Sequence, residues 1–600
     1  MVPYLDCFPE ELLRHIIRYC QPYSTTALEQ TARRFREVTN EPLLWRYYCL
    51  SDFKYWAQEH EFPKKVAGPV LSVNWKSLYK SKHLRYRATC RSLDGILATQ
   101  TRRLDKIQTI IDLGYDAKDA LLQNFSVHPE VEDYLARRYY AEALLTSLHR
   151  SVAVREWARL KNGEELALDR LLGAFDLFIP KSGLKSLDEI SDRLDGISML
   201  MNLAYPAIDR LTTRDKARAV ASFLRVNNLT GIEPDKEYHC LEHNFLGIAL
   251  SDPRHNSLPL VSATIYCYVA QRVGIDARPC GFPFHVHVIV LPPSGCDVDG
   301  NILEAGRQGT PMYMDPFRSD LDTPVADLEY QLAFLGTSPT EQANFLGVSQ
   351  PLEIVLRCSK NILNSLRHLA QISHKELTSV DVIGAKYAAI WSSMLLSYGT
   401  RPTEFRHNLQ WLIELLNTEF PLDIHLVEQY VIPLIHGLPE YQDILQSLHA
   451  MRGMDEIPRR VKRRSSQVSE IKYKVGQVFR HRRYGYRAVI TGWDVECGAG
   501  EERIRRMDID YLKGGRHQNF YHVLYVLLGF CFGYVFDADL VSSVEDRSIR
   551  YVAEENIEHM EPELSDIPLA LVFVAGKYFK RWDELTKTFV SNIQDEYPER

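Results

Sequence analysis

The chain has 600 residues, of which 45% are hydrophobic and 25% are charged, and its formal net charge is −7. This composition is typical of a globular protein and excludes a largely disordered chain. The length is too great for one hydrophobic core, so we expect three or four domains. The slightly acidic balance gives the chain no overall electrostatic preference for nucleic acid.

The eleven cysteines are scattered along the chain, and no CxxC pair occurs among them. We therefore expect no metal site and no cofactor. Scattered thiols are typical of a reducing compartment, so we expect a cytoplasmic or nuclear location, or both. The first residues lack the basic and apolar regions of a signal peptide. The apolar run 523–536 is short and interrupted by glycine, so we expect no contact with a membrane.

Three short helices are predicted at the N-terminus. Pro9 suits the first turn of a helix, where its missing N–H has no partner to lose. The apolar residues that follow recur at helical spacing and share one face: Leu12, Leu13, Ile16 and Ile17. A second helix is predicted from Ser24 to Phe35, and a third begins at Glu41-Pro42.

This N-terminal pattern, over residues 1–50, resembles an F-box, with "FPEELL", "TARRFREV" and "PLLWR" in order. The resemblance implies a surface that binds the Skp adaptor of a Skp–cullin–F-box ubiquitin ligase. The residues implied in that contact are Leu5, Pro9, Leu12, Leu13, Ile16 and Ile17. The alternative is an ordinary three-helix cap on a larger fold.

Two long stretches have helical apolar spacing without a recognisable motif. The first covers 51–189, where Ser186-Leu-Asp-Glu189 is typical of a capping box that starts the next helix. The second covers 366–455 and is predicted to be a helical extension of the central domain.

The centre of the chain, 190–365, mixes helix and strand. Ser262 to Val273 is predicted to be a buried helix, followed by Gly274 as a suitable C-terminal cap. His285 and His287 alternate with valines in a predicted strand, so they share one face of it. A later predicted strand ends at Asp315.

A helix, a strand with histidine and a strand with aspartate resemble the order of parts in transglutaminase-like domains, more narrowly the sirB-linked type. The segments "GFPFHVHV" and "YMDPF" carry the resemblance, which matches His285 and Asp315 to the family's catalytic histidine and aspartate. The place of the cysteine nucleophile falls near Pro259. We therefore expect a vestigial site and no enzyme activity.

Two residues leave a catalytic alternative open. If the domain is a thiol or serine acyl hydrolase, Ser262 and Cys280 are the candidate nucleophiles. Cys267 lies two turns into the predicted helix and is expected to pack as a small hydrophobic residue. His287 is expected to be a hydrogen-bonded strand histidine rather than a metal ligand.

The C-terminal part follows a basic linker, 456–470, and is rich in tyrosine, valine and glycine over 471–600. The segments "GQVFRHRRYGYR", "FYHVL" and "YVAEENI" resemble the heat-shock-Q or hemimethylated-DNA-binding domain, which implies a small β-barrel. Its candidate binding residues are Arg480, Arg482, Arg483, Tyr484, Tyr486 and Arg487. We expect these to recognise protein or peptide. Phosphate contacts and base stacking on DNA are the alternative, and a purely structural strand face is the third interpretation.

An apolar insert, 525–541, interrupts this last resemblance. It is interpreted either as a retained intron or as a loop that folds over the barrel. When exposed, such an apolar segment of low charge promotes aggregation.

The whole chain is predicted to be a multidomain α+β protein: a three-helix F-box, a helical region, a transglutaminase-like α/β core with a helical extension, and a small β-barrel. This order resembles F-box only proteins of the twenty-one subtype, in a fungal form. The resemblance implies a non-catalytic substrate receptor. Its expected partners are the Skp adaptor and cullin complex and an unknown protein substrate.

Overall fold

The computed structural model describes residues 5, 8–179, 186–233, 237–304, 306–371, 380–458, 460–463, 471–525, 549–592 and 596–598. The chain divides into two compact units. One unit comprises the described residues of 1–148, 449–525 and 549–600, and the other comprises the described residues of 149–448. Within the described ranges, no helix is both long enough and apolar enough to cross a membrane.

The first unit begins with short helices around an aromatic core. The N-terminal helices are α1 Glu10–Arg18, α2 Pro22–Glu29, α3 Arg33–Thr39, α4 Pro42–Asp52, α5 Phe62–Ala67, α6 Trp75–Ala98, α7 Arg103–Asp112, α8 Lys118–Phe125 and α9 Tyr134–Lys161, of which residues 134–148 belong to this unit. In the core, the Trp45 indole N–H donates to the Thr39 carbonyl at 2.6 Å. The Tyr48 hydroxyl donates to the Ile17 carbonyl at 2.9 Å. These buried aromatic rings therefore keep their polar groups hydrogen-bonded.

Four short helices begin within the described part of the first fifty residues, so the prediction of three was wrong. The predicted second helix is split into α2 and α3, and α2 begins at Pro22 rather than after Ser24. The Thr31 hydroxyl donates to the Leu28 carbonyl at 2.8 Å, and Ala32 is extended with φ −152°. A threonine side chain that takes up a backbone carbonyl competes with continuation of the helix.

A buried ion cluster lies beside α6. Lys82 and Asp116 are both fully buried, and the Lys82 ammonium lies 3.2 Å from an Asp116 carboxylate oxygen. The other carboxylate oxygen of Asp116 lies 2.7 Å from His60 Nε2 and 2.5 Å from Arg85 Nη1. Burial acts to raise the pKa of Asp116, but its hydrogen bonds and cationic partners outweigh burial and hold that pKa well below the usual range.

The second unit contains a small antiparallel sheet among helices. Its helices before the sheet are α10 Leu168–Asp176, α11 Leu187–Ala204, α12 Thr213–Val226, α13 Leu246–Ser251 and α14 Pro259–Arg272. Its strands are β1 Asp276–Pro279, β2 Val288–Leu291, β3 Met312–Met314 and β4 Asp322–Thr323, paired in the order β1-β2-β3-β4. The helices after the sheet are α15 Val325–Phe334, α16 Pro339–Leu346, α17 Pro351–Gln371, α18 Val382–Ser397, α19 Pro402–Thr418, α20 Ile424–Tyr430 and α21 Ile432–Ile435.

One local prediction in this unit is confirmed at the end of α14, and the serine half of the predicted capping box is present at the start of α11. Ser186 caps α11, because its hydroxyl accepts the Glu189 N–H at 3.3 Å. Helix α14 is deeply buried and is followed by Gly274, whose φ of +80° is favoured by glycine at a helix end. This helix begins at Pro259, earlier than the predicted Ser262.

The C-terminal part returns to the first unit and is mainly β. Its elements are α22 Tyr441–Glu456, β5 Val478–His481, β6 Arg487–Asp494, α23 Glu501–Arg506, β7 Phe520–Tyr525, β8 Ile549–Ala553, β9 Ile557–His559, α24 Leu569–Ala575, β10 Phe579–Asp583 and β11 Thr588–Ser591. Five strands form an antiparallel sheet in the order β8-β7-β6-β5-β9, and β10 pairs with β11.

The predicted small β-barrel is an open sheet across the described strands. Edge strands β8 and β9 are consecutive in the chain, joined by the single turn Glu554–Asn556. The sheet must therefore curl to bring both edges close to that turn. However, β9 pairs with β5 and not with β8, so no ladder closes the barrel within the described residues.

The C-terminal sheet shares its core with α9. Tyr134 and Leu135 of α9 belong to the same hydrophobic cluster as Leu524 and Phe579. Gly576 approaches α9 so closely that a Cβ atom there would lie 2.3 Å from the Leu135 carbonyl oxygen. Residues 471–600 therefore depend on side chains from outside that range for a complete core.

The predicted insert at 525–541 lies outside the described residues except for Tyr525. That residue ends β7, where it is paired with Ala488. Its hydroxyl accepts a hydrogen bond from Arg550 at 2.7 Å. Tyr525 is therefore part of the sheet. The prediction that it is the first residue of the insert was wrong.

Candidate functional site

The apolar residues of α1 divide into a buried pair and an exposed pair. Leu13 and Ile17 are 0% and 1% exposed and belong to the aromatic core. Leu12 and Ile16 are 50% and 41% exposed. The shared face predicted for all four is therefore too coarse: half of it builds the fold and half faces outward.

Two further predicted contact residues also lie at the surface. Leu5 is exposed, and Pro9 is exposed at the N-cap of α1. Of the six residues predicted to bind the adaptor, the exposed ones are Leu5, Pro9, Leu12 and Ile16. Leu13 and Ile17 are placed to support that surface from below.

Helix α4 contributes exposed apolar residues that the sequence reasoning did not single out. Leu43, Tyr47 and Leu50 are exposed and recur at helical spacing. The Arg18 guanidinium of α1 lies 4.8 Å from the centre of the Tyr47 ring, so α1 and α4 are neighbours here. In the sequence, the i, i+4, i+7 spacing of these three residues indicates that they share one face of the helix.

A second candidate site forms where β2 and β3 pair. Val288 lies opposite Met314 in the antiparallel register. The residue before β2 and the residue after β3 therefore come together, which brings His287 next to Asp315. The prediction that His287 lies within a strand and that Asp315 ends one was wrong by one residue in each case, because β2 begins at Val288 and β3 ends at Met314.

His285 precedes the strand and is positioned by a tight turn. Its N–H donates to the Pro283 carbonyl at 2.8 Å, and the intervening Phe284 has φ +65°. This is a γ-turn of the rare type that is strained for a residue with a side chain. The prediction that His285 lies in the strand was wrong, because a residue with positive φ interrupts the extended backbone.

The turn directs His285 to Asp315. His285 Nε2 lies 2.9 Å from Asp315 Oδ2. Burial acts to raise the pKa of Asp315, but the hydrogen bond and charge of His285 outweigh burial, so that pKa lies below its ordinary value. Burial lowers the pKa of His287 to about 4, so His287 is neutral at neutral pH.

The candidate nucleophiles are buried and engaged elsewhere. The Ser262 hydroxyl lies 2.7 Å from the Ser257 hydroxyl and accepts the Gly231 N–H at 3.1 Å. The Cys280 thiol donates to the Phe345 carbonyl at 3.1 Å, and burial raises its pKa to about 11.

Cys267 and Pro259 both lie in α14. Cys267 is buried within α14, as predicted, and burial raises the pKa of its thiol. Pro259 occupies the first turn of that helix. Proline at this place offers no nucleophilic side chain.

Two groups in the described part of the chain could hold a metal ion. One consists of His285, His287 and Asp315, and the other of Glu237, Cys240 and His243. In each group the potential ligand atoms all lie within 4.8 Å of one another. The sequence reasoning missed the second group, whose signal is the regular spacing of three residues.

The predicted C-terminal binding residues meet at the β5–β6 hairpin. Exposed at its tip are Arg480, Arg482, Arg483 and Tyr484, and half-buried beside them are Tyr486 and Arg487. The Tyr484 and Tyr486 rings are nearly parallel, with centres 6.4 Å apart. The Arg487 side chain donates to the Asp566 carbonyl, so it also ties the hairpin to the domain. The tip is therefore a compact basic and aromatic surface.

Three protein families match successive parts of the chain. Residues 5–51 match F-box-like domains, 189–360 match the transglutaminase-like superfamily, and 471–586 match the family described as hemimethylated DNA-binding protein YccV like. No solved structure matches the chain.

The chain also matches curated proteins named F-box only protein 21. It is 30% identical to the protein from Pongo abelii over 356 residues, which is 58% of this chain and 49% of that protein. It is 29% identical to the Mus musculus protein and 28% identical to the Homo sapiens protein, each over 362 residues, 58% of this chain and 50% of the relative. The chain therefore spans about half the length of these relatives. Segments similar to F-box-like, transglutaminase-like and YccV-like domains follow one another in that order, and the chain is similar to F-box only protein 21 over 58% of its length.

Proposed function

We propose that this chain is the substrate-recognition subunit of a Skp–cullin–F-box ubiquitin ligase. The observation that carries the proposal is the F-box-like segment whose first helix presents Leu12 and Ile16 outward while Leu13 and Ile17 hold the core. Exposed apolar residues at the surface of a folded helix favour docking on a partner. Homology to F-box only protein 21 supports the same role.

The exposed residues of α1 and α4 are the proposed contact with the Skp adaptor. The experiment is binding of purified adaptor to the full chain and to a Leu12→Asp, Ile16→Asp variant. Desolvating two carboxylates in an apolar contact costs several kcal/mol, so binding should be lost. The matched control is Leu71→Asp with Leu84→Asp, because both leucines are exposed in the same unit outside the F-box-like segment. Loss of binding in the control as well would count against a specific contact.

The central domain is proposed to bind substrate without catalysing a reaction. Pro259 in the first turn of α14 and the buried, hydrogen-bonded state of Ser262 and Cys280 support this. Covalent catalysis requires a nucleophile within hydrogen-bond reach of its base. The hydrogen bond between His285 and Asp315 favours a second candidate function, a thiol or serine acyl hydrolase.

These two functions are separated by covalent labelling of the full chain with acyl-transfer probes. A non-catalytic domain should give no labelling above that of the heat-denatured chain. Labelling that disappears in Ser262→Ala or Cys280→Ala would establish the hydrolase instead.

The tip of the β5–β6 hairpin is proposed to recognise protein or peptide. Its exposed arginines and Tyr484 suit an acidic, partly apolar segment. The YccV-like match favours DNA as a second candidate ligand. The test compares substrate capture and duplex binding for Arg482→Glu with Arg483→Glu, with Lys472→Glu and Lys474→Glu as the charge-matched control.

Salt distinguishes the two ligands of the hairpin. Binding to phosphates falls steeply with rising salt because condensed counterions are released. We expect weak duplex binding that does not differ between the two variants. Tight, salt-sensitive binding of hemimethylated duplex that only the hairpin variant loses would establish the DNA function.

A further inference from the structure

The group formed by His285, His287 and Asp315 contains buried polar atoms that its hydrogen bonds do not satisfy. His287 is 6% exposed and Asp315 is 5% exposed. His287 Nδ1 and Asp315 Oδ1 are buried, and neither has a hydrogen-bond partner among the residues that the structure describes. The hydrogen bond within the group joins His285 Nε2 to the other carboxylate oxygen, Asp315 Oδ2.

Buried polar atoms without partners are costly. A buried group that loses its hydrogen bonds to water without replacement costs about 1–3 kcal/mol. Such atoms are rare in folded proteins, and each one indicates a bound water, an ion or a functional role. Here the nitrogen and the oxygen belong to two residues that are drawn together by the pairing of β2 with β3.

We propose that His285, His287 and Asp315 bind one divalent transition-metal ion, with Zn²⁺ as the representative. Two imidazoles and one carboxylate are a common ligand set for such ions, and their atoms here lie within 4.8 Å of one another. Three protein ligands leave a coordination position for water or for a substrate group. The inference does not depend on the proposed role in ubiquitin ligation.

Metal binding replaces the hydrogen bond between His285 and Asp315. For His285 Nε2 to become a ligand, its ring proton must lie on Nδ1, and Asp315 must turn an oxygen from the imidazole to the ion. The paired Nε2 and Oδ2 atoms, 2.9 Å apart, are already close to the separation of two ligands on one ion. The γ-turn at Phe284 fixes His285 near this arrangement.

Two arginines act against a cation at this place. Arg318 and Arg357 both exert their positive charge on His287. Arg318 is exposed, and the Arg357 guanidinium donates to the Phe282 carbonyl at 2.6 Å. The Asp315 carboxylate offsets part of this repulsion, so we expect a site that prefers transition metals with strong imidazole bonds over Ca²⁺ or Mg²⁺.

The second group that could hold a metal ion, formed by Glu237, Cys240 and His243, could compete with the proposed site for the same ion. It contains a thiol, and its Glu237 carboxylate also lies 3.2 Å from the Arg254 guanidinium. A Cys240→Ser variant therefore serves as the matched control, since it alters the competitor and leaves the histidine pair intact.

The experiment measures zinc by mass spectrometry in the full chain after chelator treatment, reloading with Zn²⁺ and gel filtration. We expect one tightly held equivalent in the wild type and in Cys240→Ser. His287→Gln and Asp315→Asn should each lose it. Equal zinc content in all four proteins, or loss in Cys240→Ser alone, would overturn the proposal.

Cobalt spectroscopy of the wild type keeps the test valid if a variant does not fold. Co²⁺ in a nitrogen and oxygen site gives visible d–d bands without a thiolate charge-transfer band in the near ultraviolet. That spectrum, displaced by Zn²⁺, supports the proposed ligands. A thiolate band for the bound equivalent, or no d–d bands, would refute them.

Discussion

His285 is held against Asp315 by a strained turn at Phe284. Phe284 is the centre of the turn and is 85% exposed, so its side chain does not stabilise the conformation by burial. Strain of this kind persists where the surrounding structure fixes it. The partners here are the Pro283 carbonyl and the Asp315 carboxylate.

Replacing His285 should therefore affect stability and not acyl transfer. His285→Ala leaves the Asp315 carboxylate buried without its main partner, which should lower the free energy of unfolding by about 1–3 kcal/mol. The measurement is the thermal midpoint together with acyl-probe labelling, and exposed His407→Ala is the control. An acyl adduct in the wild type that vanishes in His285→Ala would contradict this account.

The buried cluster around Asp116 gives a second prediction at the scale of single residues. Asp116→Asn removes the carboxylate that pairs with both Lys82 and Arg85. It leaves Lys82 with the Asp119 carboxylate at 3.3 Å as its counter-charge. The loss of these charged hydrogen bonds should cost about 1–3 kcal/mol of stability. Chemical unfolding at neutral pH, followed by tryptophan fluorescence, measures this loss. A midpoint equal to that of the wild type would show that the buried pair contributes nothing.

The pH dependence of this effect has a definite sign. The folded-state pKa of Asp116 lies below its ordinary value of 3.8, so its stabilisation is fully present above that value. It is lost as the pH falls through the folded-state pKa, where the wild-type carboxyl becomes protonated. The difference between wild type and Asp116→Asn should therefore narrow below about pH 4. A constant difference down to acid pH would argue against an ionised Asp116.

At the scale of elements, α1 has a buried apolar face and an exposed one. Leu13 and Ile17 contact the aromatic core, and their neighbours Leu12 and Ile16 are exposed. Periodicity places all four on a broad apolar face, but only the packing of the neighbouring helices decides which part of that face is covered. This is why the sequence predicts the adaptor-binding helix but not which of its leucines are available.

The packing of α9 on the C-terminal sheet depends on the missing side chain of Gly576. Gly576→Ala should lower stability by about 1–3 kcal/mol, because its Cβ would overlap the Leu135 carbonyl. Gly453→Ala in α22 is the control, since its Cβ would meet nothing within 4 Å and alanine favours helix. Thermal midpoints of the full chain should fall for the first variant and not for the second. The opposite order would contradict the shared core.

The predicted insert can be removed at a hairpin. Strands β7 and β8 are antiparallel neighbours, with Leu524 opposite Ile549, so a short turn can join them. Deleting 526–541 and keeping Tyr525 should raise the soluble yield and leave adaptor binding unchanged, because an exposed apolar segment promotes association. The comparison is yield and thermal midpoint of the full chain. A fall in both would make the segment a genuine part of the fold.

At the scale of the whole molecule, local signals were predictable and long-range contacts were not. The cap at Ser186, the end of α14 at Gly274 and the strand before Asp315 follow from residue types at short spacing. The contact of Tyr134 with the C-terminal sheet joins residues more than 300 positions apart, and no local pattern encodes it. For the same reason, the sequence predicted a closed β-barrel, whereas the described strands form a curled sheet whose edge strands β8 and β9 do not pair.

The central site was only partly predictable. His285 and Asp315 were identified by resemblance, and the structure brings them within hydrogen-bond distance. The proximity of His287 to Asp315 depends on the register of β2 against β3, which places a second imidazole beside the carboxylate. Alternation along a predicted strand cannot reveal a partner that comes from another strand.

The central claim is that the exposed face of α1 connects this chain to a ubiquitin ligase. The most direct measurement is affinity capture of the full chain from cells, with mass spectrometry of the captured proteins, for the wild type and for Leu12→Asp with Ile16→Asp. We predict that the wild type captures the Skp adaptor and a cullin together with a third protein. The double variant should lose the adaptor and cullin and keep the third protein. Equal capture of the adaptor by a soluble, folded double variant, or no adaptor with the wild type, would contradict the proposed function.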